Sequence, residues 1–193
     1  MDLRDRIISE SLKLFSLKGF LSTSLQDILD AANTSKGGFY NHFKTKEILL
    51  TAVLSEARKV WRERVLFGID KTVNPVAKVE KLLLNYRDRY IKDSETFPGG
   101  CIFVALSVEL DDQIPHLARE LNEGFVRLKA MIHRLLDQGK ESGEIRKNVD
   151  TDSVTEMIFA GLIGAAVVFG MGKSTKMLDN CLNSLIEYLE SLK

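Results

Sequence analysis

Between Asn33 and Lys46 the chain carries three lysines, Lys36, Lys44 and Lys46, and no acidic residue. Within that stretch Ser35-Lys36-Gly37-Gly38 surrounds one cation with small residues, and Tyr40 and His42 follow. On a helix, such a light N-terminal end lets the backbone come close to a groove while its amides point at phosphate. Tyr40, His42, Lys44 and Lys46 can each reach a backbone phosphate, and their cations would supply the salt-dependent part of the affinity. The chemistry is that of duplex DNA recognition. On charge alone a solvated lysine cluster would look the same.

No other constellation competes. His42, His116 and His133 stand in no metal-ligand spacing and there is no HExxH, so neither a metal nor a cofactor is expected and no catalytic residue is assigned. Gly172-Lys173-Ser174 imitates the end of a phosphate-binding loop, but Val167 stands where its first glycine is required. The acidic run Glu109, Asp111, Asp112 reads as a helix end facing water.

The positioning elements are helical almost throughout. Ile7, Ile8, Ser11, Leu12, Leu14 and Phe15 recur at three- and four-residue spacing and predict a first helix over about 3–18, closed by Gly19. Ser24 caps a short helix over about 25–32 with Asp27 as reciprocal cap, and Asn33-Thr34-Ser35 forms a turn before a second short helix over about 36–42. Thr45 caps a long helix from 46 to about 67. Further helices are expected over about 75–93, 101–110, 115–142, 151–171 and 175–192, with Phe97-Pro98-Gly99-Gly100 as the clearest loop. Two short helices joined by a tight turn and backed by a longer one have the proportions of a helix-turn-helix.

Residues 7–50 resemble the N-terminal domain of the TetR (tetracycline-repressor) family. The resemblance rests on Leu-Phe…Lys-Gly-Phe ending the first helix, Thr-Ser-Leu-Gln-Asp-Ile opening the second, Ser-Lys-Gly-Gly-Phe-Tyr-Asn-His-Phe for the third and Lys46-Glu47 opening the fourth. The family's usual Gly-Val in the turn is replaced by Asn33-Thr34; asparagine tolerates the left-handed conformation that the turn needs. The resemblance implies an all-α fold of about nine helices: a helix-turn-helix DNA-binding domain at 1–46 and an effector-binding and dimerisation domain at 47–193. It implies a DNA-binding transcriptional regulator, a repressor leaving a palindromic operator when a small effector binds. It also places Thr23, Ser24, Ser35, Lys36, Gly37, Tyr40, His42 and Lys46 at DNA. Of these, Ser35, Lys36 and Gly37 would lie nearest base edges and the others would clamp phosphates. Tyr40 could instead be packed and His42 merely exposed; Phe39 and Phe43 belong to the core of the head.

One head reads few base pairs, so two on a symmetric site, hence a homodimer, are expected. The stripe Leu178, Cys181, Leu182, Leu185, Ile186, Leu189 (continued by Leu192) follows helical spacing and, with Gly161, Gly164 and Ala165, resembles the family's dimer bundle. It could equally close a monomer's core. Trp61, Tyr86, Tyr90, Phe103, Phe125, Met131 and Phe159 are candidates to line a largely apolar effector cavity, or else plain core. Cys101 follows Gly99-Gly100 at a helix start, where the dipole would lower a thiol's pKa. It is therefore a candidate redox sensor of electrophiles or oxidants acting on the same head. Cys181 reads as structural.

The 193 residues, 45% hydrophobic with formal net charge +0, suffice for a small head on a larger body. Residues 1–64 hold 11 Lys+Arg against 8 Asp+Glu, and residues 65–193 hold 16 against 19. The N-terminus is charged from its second residue, unlike a signal peptide. The apolar run Met157 to Met171, at 15 residues, falls short of the roughly 20 that span a bilayer and reads as a buried helix. A reduced cytoplasmic location without membrane contact is expected. The distant alternative, a helical dimer with no DNA role, leaves Ser35 to Lys46 without a reason.

Overall fold

The computed structural model describes Met1–Lys193. Nine α-helices follow in order: α1 (Leu3–Lys18), α2 (Leu25–Ala31), α3 (Lys36–Tyr40), α4 (Lys46–Val65), α5 (Pro75–Asn85), α6 (Ile102–Leu110), α7 (Pro115–Glu141), α8 (Thr151–Gly172) and α9 (Thr175–Glu190). The all-helical expectation holds, and most predicted boundaries fall within two residues of the observed ones.

The head is built by apolar spacing. Ile7, Ile8, Leu12 and Phe15 on α1 are buried with Ile28 and Leu29 of α2, and with Phe20, Phe39 and Phe43. Phe15 and Phe20 meet edge to face at 5.4 Å, and Phe39 and Phe43 lie 5.9 Å apart. α3 stops at Tyr40, earlier than expected, because the Phe39 carbonyl accepts from both His42 and Phe43 amides at 2.9 Å. That tightened turn swings the Phe43 ring into the core.

Helix α4 is shared between head and body. Thr45 caps it, accepting from the Ile48 amide at 3.1 Å, and it packs against α1. At its other end Asn85, a buried amide, donates to the carbonyls of Val65 and Phe67 at 3.0 and 2.9 Å. These are helix-end acceptors that no intrahelical amide can reach, so one side chain closes α4 and ties it to α5.

The long helix expected over 75–93 is not uniform: α5 passes into a π-helical stretch, Tyr86–Ile91. The widened turn lets Tyr86 and Tyr90 both face inward, ring centroids 5.6 Å apart. Such turns are often found at functional sites.

Helix α8 is longer than the apolar run within it and, at 22 residues, is long and apolar enough to cross a membrane by length and composition. It is buried on one side only. Val154, Ile158, Leu162, Ala165 and Phe169 enter the core, whereas Met157, Ala160, Gly164, Val167, Val168 and Met171 are exposed. The expectation of a buried helix is therefore corrected: one face of the apolar stretch of α8 packs in the core and the other, equally apolar, is exposed. Lys173 ends it at φ 51, and Ser174 caps α9, so Gly172-Lys173-Ser174 is a helix-to-helix corner.

Candidate nucleic-acid interface and effector cavity

The helix-turn-helix forms as its cap residues dictate. Ser24 Oγ accepts from the Asp27 amide at 3.1 Å while Asp27 Oδ2 accepts from the Ser24 amide at 2.8 Å, completing the reciprocal box. The Ser24 donors, and after them Lys18, hold the Asp27 carboxyl below its ordinary range. Asn33 takes φ 45, the left-handed conformation expected of it, and Ser35 Oγ accepts from the Gly38 amide at 3.2 Å to start α3.

This geometry leaves a small exposed platform: Ser35, Lys36, Gly37, Tyr40, Asn41, His42 and Lys44 all face solvent. The two glycines have different reasons. A Cβ on Gly38 would stand 2.4 Å from Thr34 Oγ1, so the turn itself excludes a side chain. A Cβ on Gly37 would meet only Ser35 Oγ at 3.8 Å, so nothing inside the protein requires glycine there. Tyr40 lies edge-on to Phe39 at 5.4 Å, with 52% of its surface open, so it is held by the core without being enclosed.

Two expected phosphate contacts are corrected. Thr23 is buried and its hydroxyl donates to the Gly19 carbonyl at 2.6 Å, leaving it no surface for a ligand. Lys46 Nζ donates to the carbonyls of Phe20 and Thr23 at 2.9 and 2.8 Å and sits 4.3 Å from the centre of the Phe20 ring. Burial pulls its pKa down. Both residues fasten the turn between α1 and α2; spacing could not distinguish a fastener from a clamp.

The same turn shows a residue that sequence reasoning missed. Glu109, read as facing water, accepts from the amides of Phe20 and Leu21 at 2.7 and 2.8 Å. No local signal marks it, because its partners lie on another helix pair.

In the body a cavity of about 270 Å³ opens among α4, α6, α7 and α8. Of the candidates, Trp61, Tyr86, Phe103, Phe125 and Met131 line it. Tyr90 does not: it is fully buried, its ring 4.9 Å from that of Phe97. Phe159 lines a separate groove of about 240 Å³ beside Phe125. Unforeseen in the wall are Arg58, Arg62 and Arg127.

Cys101 also lines the cavity, at the start of α6 as expected. Its electrostatics are the reverse of the expected ones. Burial pushes the thiol pKa up, outweighing the amides of Val104 and Phe103 and the hydroxyls of Tyr90 and Tyr86. The Tyr90 oxygen lies 3.6 Å from Sγ. The helix start alone therefore does not make an activated thiol here.

The C-terminal stripe is corrected as well. Leu178, Leu182, Leu185 and Leu189 are buried within the chain's own core, and only Cys181 and Ile186 are half-buried. Gly161 belongs to the same packing, since a Cβ there would stand 2.8 Å from Leu185. Gly164 points outward, with nothing within 4 Å of a Cβ. The unpartnered apolar face thus lies mainly on α8, one helix earlier than the leucine stripe suggested.

Residues 75–185 match the family described as "Tetracyclin repressor-like, C-terminal domain", and residues 7–53 match "Bacterial regulatory proteins, tetR family". The HTH-type transcriptional repressor DhaR of Mycobacterium sp. (strain GP1) is 28% identical over 188 residues, covering 96% of this chain and 91% of that protein. A TetR transcriptional regulator from Chloroflexus aurantiacus J-10-FL superimposes with a TM-score of 0.87 at 28% identity, over 97% of this chain and 93% of that one. AibR, solved with isovaleryl coenzyme A and operator DNA, shares the fold with a TM-score of 0.76 at 18% identity, over 96% and 98% of the two chains.

Proposed function

The chain belongs to the TetR family of bacterial regulatory proteins, and on that premise we propose that it is a transcriptional repressor that leaves a palindromic operator when a small effector fills the body. It works as a homodimer in the cytoplasm. The observation that carries this reading is the exposed tip of α3: a cation, Lys36, beside a glycine, Gly37, whose missing side chain has no internal explanation. A groove floor supplies that explanation, since backbone can then approach base edges while Lys36 reads or clamps.

Ser35, Lys36 and Gly37 contact bases; Tyr40 and His42 hold phosphates; Ser24, at the first turn of α2, contributes through the positive end of its helix. The head ends where α4 begins, so residues 1–46 read DNA and residues 47–193 sense and dimerise. The exposed faces of α8 and α9 form the dimer surface, with Met157, Val167, Val168 and Met171 at its apolar centre. AibR's complex with operator DNA and a ligand supports the same division of labour on this fold.

Release follows from α4. Its start adjoins the head and its later turns, through Arg58, Trp61 and Arg62, line the cavity. A ligand that prefers one tilt of α4 shifts the population toward it, and the two heads then no longer match half-sites one helical turn, about 34–36 Å, apart. The test is binding of the full chain to a palindromic fragment of its own promoter region over a salt series. Affinity should fall steeply with salt. The double variant Lys36→Ala, Tyr40→Ala should lose binding while keeping its fold and dimer, because both side chains are exposed. Undiminished binding by that variant overturns the assignment.

A further inference from the structure

The effector cavity is apolar in area but not in charge. Trp61, Phe103, Phe125, Leu128 and Met131 form its walls, while Arg58, Arg62 and Arg127 also line it and no carboxylate does. Arg58 Nη1 pairs with Glu120 at 2.6 Å, yet its Nη2 is buried with no hydrogen-bond partner. Arg127 has a loose, exposed pairing with Glu123 at 3.4 Å, and Arg62 is left without an ion pair. A buried N–H with no acceptor is costly, and with Arg58 and Arg127 already paired to carboxylates, the unpaired Arg62 leaves a positive charge beside apolar walls that a neutral guest does not use. Purely apolar guests would leave Arg58 Nη2 as it stands.

We propose that the cavity takes an amphipathic anion: a carboxylate met by Arg58 and Arg62, carried on a compact apolar body that packs against Trp61 and the phenyl rings. This rests on reading the cavity as the effector site and names the chemical class of that effector. The volume, just under the usual lower bound of about 300 Å³ for ligand sites, limits the body to a short chain or a single ring. Guanidinium groups suit carboxylate because their forked donors match its two oxygens, a geometry that ammonium lacks.

Trp61, the only tryptophan, is a built-in reporter. Octanoate and 3-phenylpropanoate are titrated into the full-length protein, each against its own alcohol and amine, following Trp61 fluorescence and, separately, affinity for the promoter fragment. The anions should change the fluorescence at concentrations at least ten-fold below their alcohols, and the amines should have no effect. Arg62→Gln and Arg58→Gln should each weaken the anions about ten-fold and leave the alcohols unchanged. Since Arg58→Gln also frees Glu120, the exposed Arg62→Gln keeps the test interpretable if the first variant folds poorly. Alcohols binding as tightly as anions, arginine variants that do not discriminate, or no response to any of the compounds overturns the anion assignment. If alcohols bind and release DNA, the effector site stands and only its chemical class fails. If anions bind at Trp61 with no change in DNA affinity, the class stands and the effector reading fails.

Discussion

Glu109 and Phe20 are 89 residues apart in sequence, yet the Glu109 carboxylate accepts the Phe20 amide at 2.7 Å. The carbonyl of the same Phe20 accepts from Lys46 at 2.9 Å. One residue of the α1–α2 turn is thus gripped by an anion from α6 and a cation from α4. Both helices line the cavity of the body, through Cys101 and Phe103 on one and Trp61 on the other. The turn is where the body holds the head.

Removing the anionic grip should loosen both stability and coupling. Glu109→Ala leaves two backbone amides without their carboxylate. Discounted for partial exposure, that is about 1–2 kcal/mol, or roughly 2–8 °C in Tm for a chain of this size. Gly19→Ala should destabilise as well, because its φ is +81 and its new Cβ would stand 2.5 Å from Glu109 Oε1. Calorimetry measures both, and an unchanged Tm for Glu109→Ala removes the grip from the account.

How much of this was legible depends on the range of the interaction. Ser24, Asp27, Asn33 and Ser35 act on neighbours within a few residues, so capping and turn rules read them correctly. Thr23, Lys46 and Glu109 act across 4, 26 and 89 residues, and their partners are backbone groups that leave no mark in a sequence. The leucine stripe on α9 shows another limit. Spacing reveals that a face is apolar; whether the chain's own helices or a second copy covers it depends on packing.

Lys36 and Lys46 should separate in a salt titration. Lys36→Ala removes one exposed cation from each of the two heads, so, at about 0.9 per phosphate neutralised, the slope of log affinity against log salt should become shallower by up to about 1.8 for the dimer. Lys46→Met removes two hydrogen bonds to carbonyls within the fold; it should lower Tm with the slope unchanged. Equal loss of slope in both variants would return Lys46 to the phosphate contacts.

The dimer surface can be separated from the protomer core by two substitutions on facing helices. Gly164→Glu places a charge on the exposed face of α8, where a Cβ meets open space. The protomer should therefore keep its helix content while light scattering reports monomers. Leu182→Ala, at a fully buried position on α9, should lower unfolding free energy by about 2–5 kcal/mol. A dimer surviving Gly164→Glu would move the interface off α8.

The Cys101 thiol offers a pH test with a definite sign. Burial favours its neutral form, so its folded pKa lies above the ordinary value of 9.0. Between those two values the unfolded chain holds fewer protons than the native one, so stability falls as pH rises. The thiol's contribution is complete below about pH 9 and is lost through the folded pKa. The thiolate is the nucleophile, so iodoacetamide should modify Cys101 in the native protein more slowly than free cysteine at pH 8. The rate should still be climbing at pH 9. Because Cys101 lines the body cavity, octanoate bound there should slow the reaction further, which peptide mass mapping can follow separately from Cys181. A Cys101 that reacts faster than free cysteine at neutral pH would mean that the helix start outweighs burial, and would restore the thiol-sensing alternative.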